Sequence, residues 1–282
     1  MKALRNGFTL IEVLIIIAIV GVLLGLLMGA IQKIRFVTSG LEDKNKLKQI
    51  MLATLQYATQ RNGKIAAANG VTFQGDEKDN PHYALLPYLS SGTHPYFKVE
   101  NFAVKWDLVP AFLSNNDLSL KRPFELIGTL HGKVSFSYSA QAFSNRAKIP
   151  DSFPDGTSQT IGFAEHFCLT NDRSNERGIN TIFVPDHLKP PLPTLRSGSF
   201  ADPGWEDWGT EIPGTKAFDD RGQPFQINAT QISSDGKKLQ ALQSTGLKVG
   251  MMDGSVRVLG PNMTPGSFWA LVTPWGSEII ND

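Results

Sequence analysis

A single ionisable side chain, Glu12, stands inside the apolar run from Gly7 to Ile31, GFTLIEVLIIIAIVGVLLGLLMGAI. An ionised carboxylate at membrane depth is costly unless it meets a cation. The short basic leader before the run, MKALRN, offers a way to make one. If the chain is cut after Gly7, the new amino group on Phe8 supplies a positive charge. The Glu12 carboxylate of a neighbouring copy can meet that charge inside a membrane or a filament core. The chemistry at this end of the chain is therefore charge pairing between chains.

Elsewhere the residue types that do catalysis are present but not arranged for it. The sequence contains no G-x-S-x-G, Walker loop, dinucleotide fingerprint or H-E-x-x-H. His82, His94, His131, His166 and His187 are widely separated, and no two have the i, i+4 spacing of a helical zinc pair. Glu165 and His166 are adjacent, and on a strand adjacent side chains point to opposite faces, which argues against an acid–base pair. Asp151 and Asp155 could share a cation, but the segment lacks the carboxylate density of a calcium loop. Cys168 is the one cysteine, so neither an intrachain disulfide nor a Cys-based metal site can form. We expect no catalytic residues, no metal and no cofactor, and hence no enzyme. The body must be stable through packing alone.

The elements that position Glu12 come next. From Val13 to Ile31 no side chain is ionisable. At 1.5 Å per residue that stretch gives about 28 Å of helix, close to a hydrocarbon core of about 30 Å. An ordinary secretory signal has a shorter apolar core, about 7 to 15 residues, and an A-x-A-like cleavage site after it. This run is longer, with only Gly29 and Ala30 as small residues near its end. Helical character continues through Gln32 to Arg61, where Leu47, Met51, Leu55 and Ala58, with Ile50 and Thr54 alongside, form one apolar stripe that can lie on a sheet. Glu42, Asp43, Lys44, Lys46 and Lys48 fall mostly on the other face. Asn62-Gly63 should end the helix, since Gly is a favoured stop just past the last turn.

The remainder is turn-rich, as 26 Gly and 17 Pro imply. Residues 63 to 80 read as an exposed loop with one short strand, and Tyr83 to Leu89 as a short helix on the body. Phe102 to Leu113 and Lys133 to Tyr138 read as strand-like. Asp155-Gly156 reads as a turn into a buried strand, Thr160 to Glu165. Asp253-Gly254, between LKVGMM and SVRVL, predicts a two-residue type I′ hairpin, in which both turn positions take positive φ. Its role is structural. Lys189-Pro-Pro-Leu-Pro should be a stiff connector, and Trp205 and Trp208 an aromatic pair in a loop tucked against the core. The formal charge of +1 becomes −1 once Lys2 and Arg5 are removed, so no nucleic-acid surface is indicated.

GFTLIEV with its basic leader resembles the class III signal of type IV prepilins and of the pseudopilins of type II secretion. In those proteins a membrane peptidase cuts after the Gly and N-methylates the Phe. The resemblance implies cleavage between Gly7 and Phe8, methylation of Phe8, and an assembly role for Glu12. It also implies a leader held on the cytoplasmic side. That orientation conflicts with the positive-inside rule, because Lys33, Arg35, Lys44, Lys46 and Lys48 all follow the span. Further blocks, IQKIR at 31 to 35 with KLKQI at 46 to 50, DGTSQTIGFAEHF at 155 to 167 and LKVGMMDGSVRVL at 247 to 259, resemble a large bacterial prepilin-like family with a C-terminal H-x9-DG block. The family motif turns then fall on Asp155, Gly156, Asp253 and Gly254. Gln243 occupies the place of the family's His, and the Pro common near the end of the span is missing around Gly29.

The resulting expectation is an α+β, pilin-like architecture. A leader over 1–7 precedes a transmembrane and assembly helix over 8–31 and its amphipathic continuation over 32–62. A globular head over 63–282 has an antiparallel sheet with long irregular insertions. The implied role is that of a pseudopilin or minor pilin-like subunit in the inner membrane, with its head on the periplasmic or extracellular side. Its partners would be prepilin peptidase, other pilin or pseudopilin subunits and an inner-membrane assembly platform, with no nucleic acid. The alternative is a single-pass anchored periplasmic binding module that forms no filament.

Overall fold

The computed structural model describes residues 9–68, 81–89, 97–100, 103–106, 109–121, 132–144, 147–168, 181–182, 198–201, 225–230, 233–235 and 238–275. The chain divides into two compact units, Met1–Glu42 and Asp43–Asp282. The first consists of the leader and most of one long helix, α1 (Leu10–Gln60, 51 residues). Its large apolar side chains from Leu10 to Met28 are exposed. It is long and apolar enough to cross a membrane.

In the second unit the end of α1 is set locally. Asn62 takes the left-handed conformation (φ 53°), and Gly63 N–H then reaches back to Ala58 O at 2.8 Å. This is a Schellman-type end, with Asn62 in the position that Gly63 is expected to fill. Gly63 is needed for a further reason: its φ is 84°, and a Cβ there would lie 2.6 Å from Ile149 O. The chain then turns inward. Ile65, Ala66, Ala67 and Ala68 are buried, so the start of the expected exposed loop is core.

The other elements are α2 (Pro81–Leu89), a hairpin of β1 (Phe97–Glu100) and β2 (Ala103–Trp106), β3 (Gly132–Lys133), β4 (Phe136–Ser139), β5 (Ile161–Glu165), β6 (Thr181–Ile182), β7 (Ser199–Phe200), β8 (Phe225–Ile227), β9 (Leu239–Ala241), β10 (Leu247–Met251), β11 (Val256–Leu259) and α3 (Pro265–Val272). The strand expected over 102–113 stops early, because Pro110 starts a short 3-10 turn, Pro110–Phe112. The main sheet has the order β11-β10-β5-β4-β7. It is mixed rather than antiparallel throughout, since β7 pairs parallel to β4. Residues 185–193, Trp205 and Trp208 lie outside the described residues.

Both faces of this sheet are covered, which is why all five residues of β10 are buried. One face meets α1 through Leu47, Ile50, Met51, Tyr57 and Ala58, joined by Phe136, Tyr138 and Phe163. The other carries Ile161, Ala164, Val249 and Met251 against Phe225, Leu239 and the α3 residues Phe268, Leu271 and Val272. Thr264 caps α3, its side-chain oxygen accepting from Ser267 N–H, and Pro265 follows at the first helical position. A bulge in β5 places Gly162 and Phe163 together opposite Gly250, so that both glycines lie under Met51.

That close approach gives a stability prediction. A Cβ on Gly250 would sit 2.6 Å from Met51 Cγ, close to the backbone end of the side chain, whereas one on Gly162 meets the more movable outer atoms, Met51 Cε and Met252 Sδ at 2.8 Å and Met51 Sδ at 3.2 Å. Gly250→Ala should therefore cost about 1–3 kcal/mol and Gly162→Ala less. In urea unfolding, the Gly250→Ala/Met51→Ala double variant should be less destabilised than the sum of its single variants.

Candidate functional site

The assembly residues inferred from the sequence begin at a cleavage junction, Gly7-Phe8, that lies outside the described residues. Glu12 is in the first turn of α1, on the exposed apolar helix. Its Oε2 accepts from Thr9 N–H at 2.7 Å and from the Thr9 hydroxyl at 2.8 Å, while Thr9 Oγ1 accepts from Glu12 N–H at 3.3 Å. Thr9 and Glu12 thus form a reciprocal capping box that satisfies free N–H groups at the helix start. The pattern Thr-x-x-Glu was available in the sequence as a helix-start signal. Among the described residues both bonds accepted by the Glu12 carboxylate fall on Oε2.

The two motif blocks of the head, 155–167 and 247–259, meet at one hairpin. Between β10 and β11 the chain turns through Met252-Asp253-Gly254, with Gly254 N–H bonding Met251 O at 2.8 Å and Met251 N–H bonding Ser255 O at 2.8 Å. Only Gly254 has positive φ, 85°. This is a three-residue loop ending in a glycine bulge and not the expected two-residue type I′ turn, so Asp253 stays at negative φ. Asp253 Oδ1 instead accepts from Ser255 N–H at 2.7 Å, an Asx turn. Asp253 N–H bonds Thr157 O and Met252 N–H bonds Thr160 O, which ties the hairpin to the block that starts at Asp155-Gly156. Gly156 is in the left-handed region, φ 97°, as its turn requires. Lys48 Nζ on α1 closes the group by donating to Gly254 O at 2.6 Å.

The other sequence candidates fall elsewhere. Asp151 pairs with Lys148 at 2.8 Å on the surface. Among the described residues no group of three or more His, Cys, Asp or Glu could hold a metal ion. His166 Nδ1 bonds Phe167 O at 2.6 Å, and Glu165 turns to Lys248. Gln243 Nε2 donates to Asn116 Oδ1 at 3.4 Å, and Asn116 Nδ2 donates to Asp43 Oδ2 at 2.6 Å, so Gln243 is linked to α1 through Asn116. Burial pushes the Cys168 thiol well up, with the Asp117 charge adding to it. Asp117 is itself raised by burial, against bonds from Ser119, Ser135 and the Cys168 N–H.

Sequence patterning misses a buried ionic cluster between α1 and the sheet. Lys248 is 1 % exposed, and Asp43 and Glu165 are fully buried. Lys248 Nζ lies 2.7 Å from Glu165 Oε1 and 3.6 Å from Asp43 Oδ2, and Lys248 N–H donates to Glu165 Oε2 at 3.0 Å. Desolvation raises Glu165 to about 7, although Lys248 draws it down. Asp43 is the exception to the expectation that Glu42, Asp43, Lys44, Lys46 and Lys48 fall mostly on the face away from the apolar stripe: it is buried, whereas Lys46 is half-buried and Lys48 exposed. Lys46 Nζ docks on Leu113 O at 2.7 Å as Lys48 does on Gly254 O.

His82, on α2, is a second buried polar group. Its Nε2–H donates to Phe136 O at 2.7 Å, and rings of Phe112, Tyr138 and Phe163 meet it edge-on. Desolvation lowers it to about 4. Because the unfolded chain binds this proton more tightly, the His82 contribution is fully present above about pH 6.5 and is lost as pH falls toward 4. The loss should reach about 2–3 kcal/mol at pH 4.5. Glu165, raised in the fold, acts with the opposite sign. The difference between wild type and His82→Leu in urea unfolding at pH 7.5 and 4.5 therefore isolates the histidine.

No curated protein and no solved structure matches this chain. Residues 2–28 do match a family model, that of the prokaryotic N-terminal methylation motif. The match covers the basic residues Lys2 and Arg5, Gly7-Phe8, Glu12 and the exposed apolar stretch of α1 from Leu10 to Met28. At its N-terminus the chain is therefore type IV prepilin-like.

Proposed function

We propose that this chain is a pseudopilin or minor pilin-like structural subunit, cut after Gly7, N-methylated on Phe8 and assembled into a filament through α1. The observation that carries the reading is the methylation motif at residues 2–28, placed directly on a helix whose apolar side chains are exposed from Leu10 to Met28. In the precursor the helix holds the protein in the inner membrane as a single-pass anchor, with the head on the periplasmic or extracellular side. In the filament the same apolar surface meets neighbouring helices. The partners are prepilin peptidase, further pilin or pseudopilin subunits and an inner-membrane assembly platform. The head takes part by packing, not by chemistry.

The test is mass spectrometry of the N-terminus from cells with an active prepilin peptidase. The mature chain should begin at methylated Phe8. Gly7→Val should leave Met1 or Lys2 at the terminus, because only a small residue resembles the cut site of that peptidase. Recovery of wild-type protein starting at Met1 would overturn the proposal.

A further inference from the structure

The buried cluster between α1 and the sheet holds two carboxyl groups and one amine, all at most 1 % exposed. Its partners are unevenly shared. Glu165, on β5, takes both Lys248 Nζ and Lys248 N–H. Asp43, on α1, has Asn116 at 2.6 Å and Lys248 only at 3.6 Å, and its Oδ1 is buried with no hydrogen-bond partner. With all three groups ionised, the cluster carries one uncompensated negative charge away from water, and its least satisfied member is the one on the helix.

We propose that this cluster is a proton-controlled clasp on the Asp43–Leu47 turn of α1. With one proton on the cluster, Lys248 balances a single carboxylate and the turn stays docked. When that proton is lost to solvent, two carboxylates compete for Lys248. Release of Asp43 to water then leaves Glu165 and Lys248 as a neutral buried pair. The elevated Glu165 carboxyl is consistent with proton loss near neutral pH.

Among the described residues, no other charge facing the cluster does this work. On α1, Lys46 and Lys48 are committed to Leu113 O and Gly254 O. Asn116 and Gln243, from the loops that reach Asp43, are neutral. His82 bonds the carbonyl of Phe136, the register partner of Glu165, and is neutral above about pH 4. Asp117, next to Asn116, is bonded to Ser119, Ser135 and the Cys168 N–H.

Hydrogen exchange on the full chain in detergent micelles, corrected for intrinsic exchange, tests the clasp. In the wild type, opening of the amides in residues 41 to 50 should be at least about tenfold more populated at pH 8.5 than at pH 5.5, because the folded cluster holds its proton more tightly than the open one. Asp43→Asn, which keeps the size of the side chain and its bond to Asn116, should flatten that dependence, as should Glu165→Gln. Should Glu165→Gln fail to fold, Asp43→Asn decides alone. Equal opening at both pH values in the wild type, or an undiminished slope in Asp43→Asn, overturns the proposal.

Discussion

Glu12→Val should give a protein that is processed, membrane-resident and normally folded in its head, yet at least about tenfold depleted from filaments, because under the proposed function it lacks the charge that would pair subunits in a water-poor core. Among the described residues the hydrogen bonds of Glu12 run to Thr9, within its own helix turn. Replacing it removes half of the capping box and frays the first turn, a local cost that leaves insertion of the apolar run intact. Under the proposed function its carboxylate would meet the Phe8 amine of a neighbour in the filament, and that pairing would fix how far one helix slides past the next. Apolar contact alone is non-directional and sets no such register.

Glu12→Asp, one methylene shorter, should be intermediate. Thr9→Val should weaken assembly less than Glu12→Val, because it frees the carboxylate without deleting it. The measurement is the sheared or cross-linked filament fraction relative to total membrane protein. Normal assembly of Glu12→Val would favour the anchored binding module instead.

The second large effect concerns the head. Lys248→Met should destabilise the second unit by about 3–5 kcal/mol at pH 7.5, because it strands the Glu165 carboxylate beside Asp43 in a site without water. Lost packing is a minor part of this, since Met fills nearly the same volume as the lysine stem. The triple variant Asp43→Asn, Glu165→Leu, Lys248→Met should recover most of the loss, as buried ion pairs are often matched by apolar replacements. Urea unfolding followed by tryptophan fluorescence separates the two cases. A Lys248→Met protein within about 1 kcal/mol of wild type would show that water reaches the cluster.

Some of this molecule follows from local sequence. The apolar run and its one carboxylate require a helix with a charge at its start, and Thr9-x-x-Glu12 marks the cap because the capping box needs only residues three apart. The stripe Leu47, Ile50, Met51 and Ala58 identifies the buried face of α1. Asn62-Gly63 marks its end, since few other residues accept positive φ. Asp253-Gly254 marks the hairpin for the same reason. Its type is not legible, because the number of residues in the loop depends on the register of β10 against β11.

The tertiary structure decides what happens where elements meet. Alternation in β10 places Lys248 opposite Val249 and Met251, which on a sheet with one wet face would put it in solvent. Here α1 covers that face, and Lys248 becomes the buried partner of Glu165, 83 residues away. Asp43 reads as a polar-face residue on its own helix and is buried by the same docking. The parallel placement of β7 beside β4 likewise comes from a long connection and not from any pattern within either strand. Periodicity reports which side of an element is apolar, while the fate of the other side depends on which surface, water or protein, the fold brings against it.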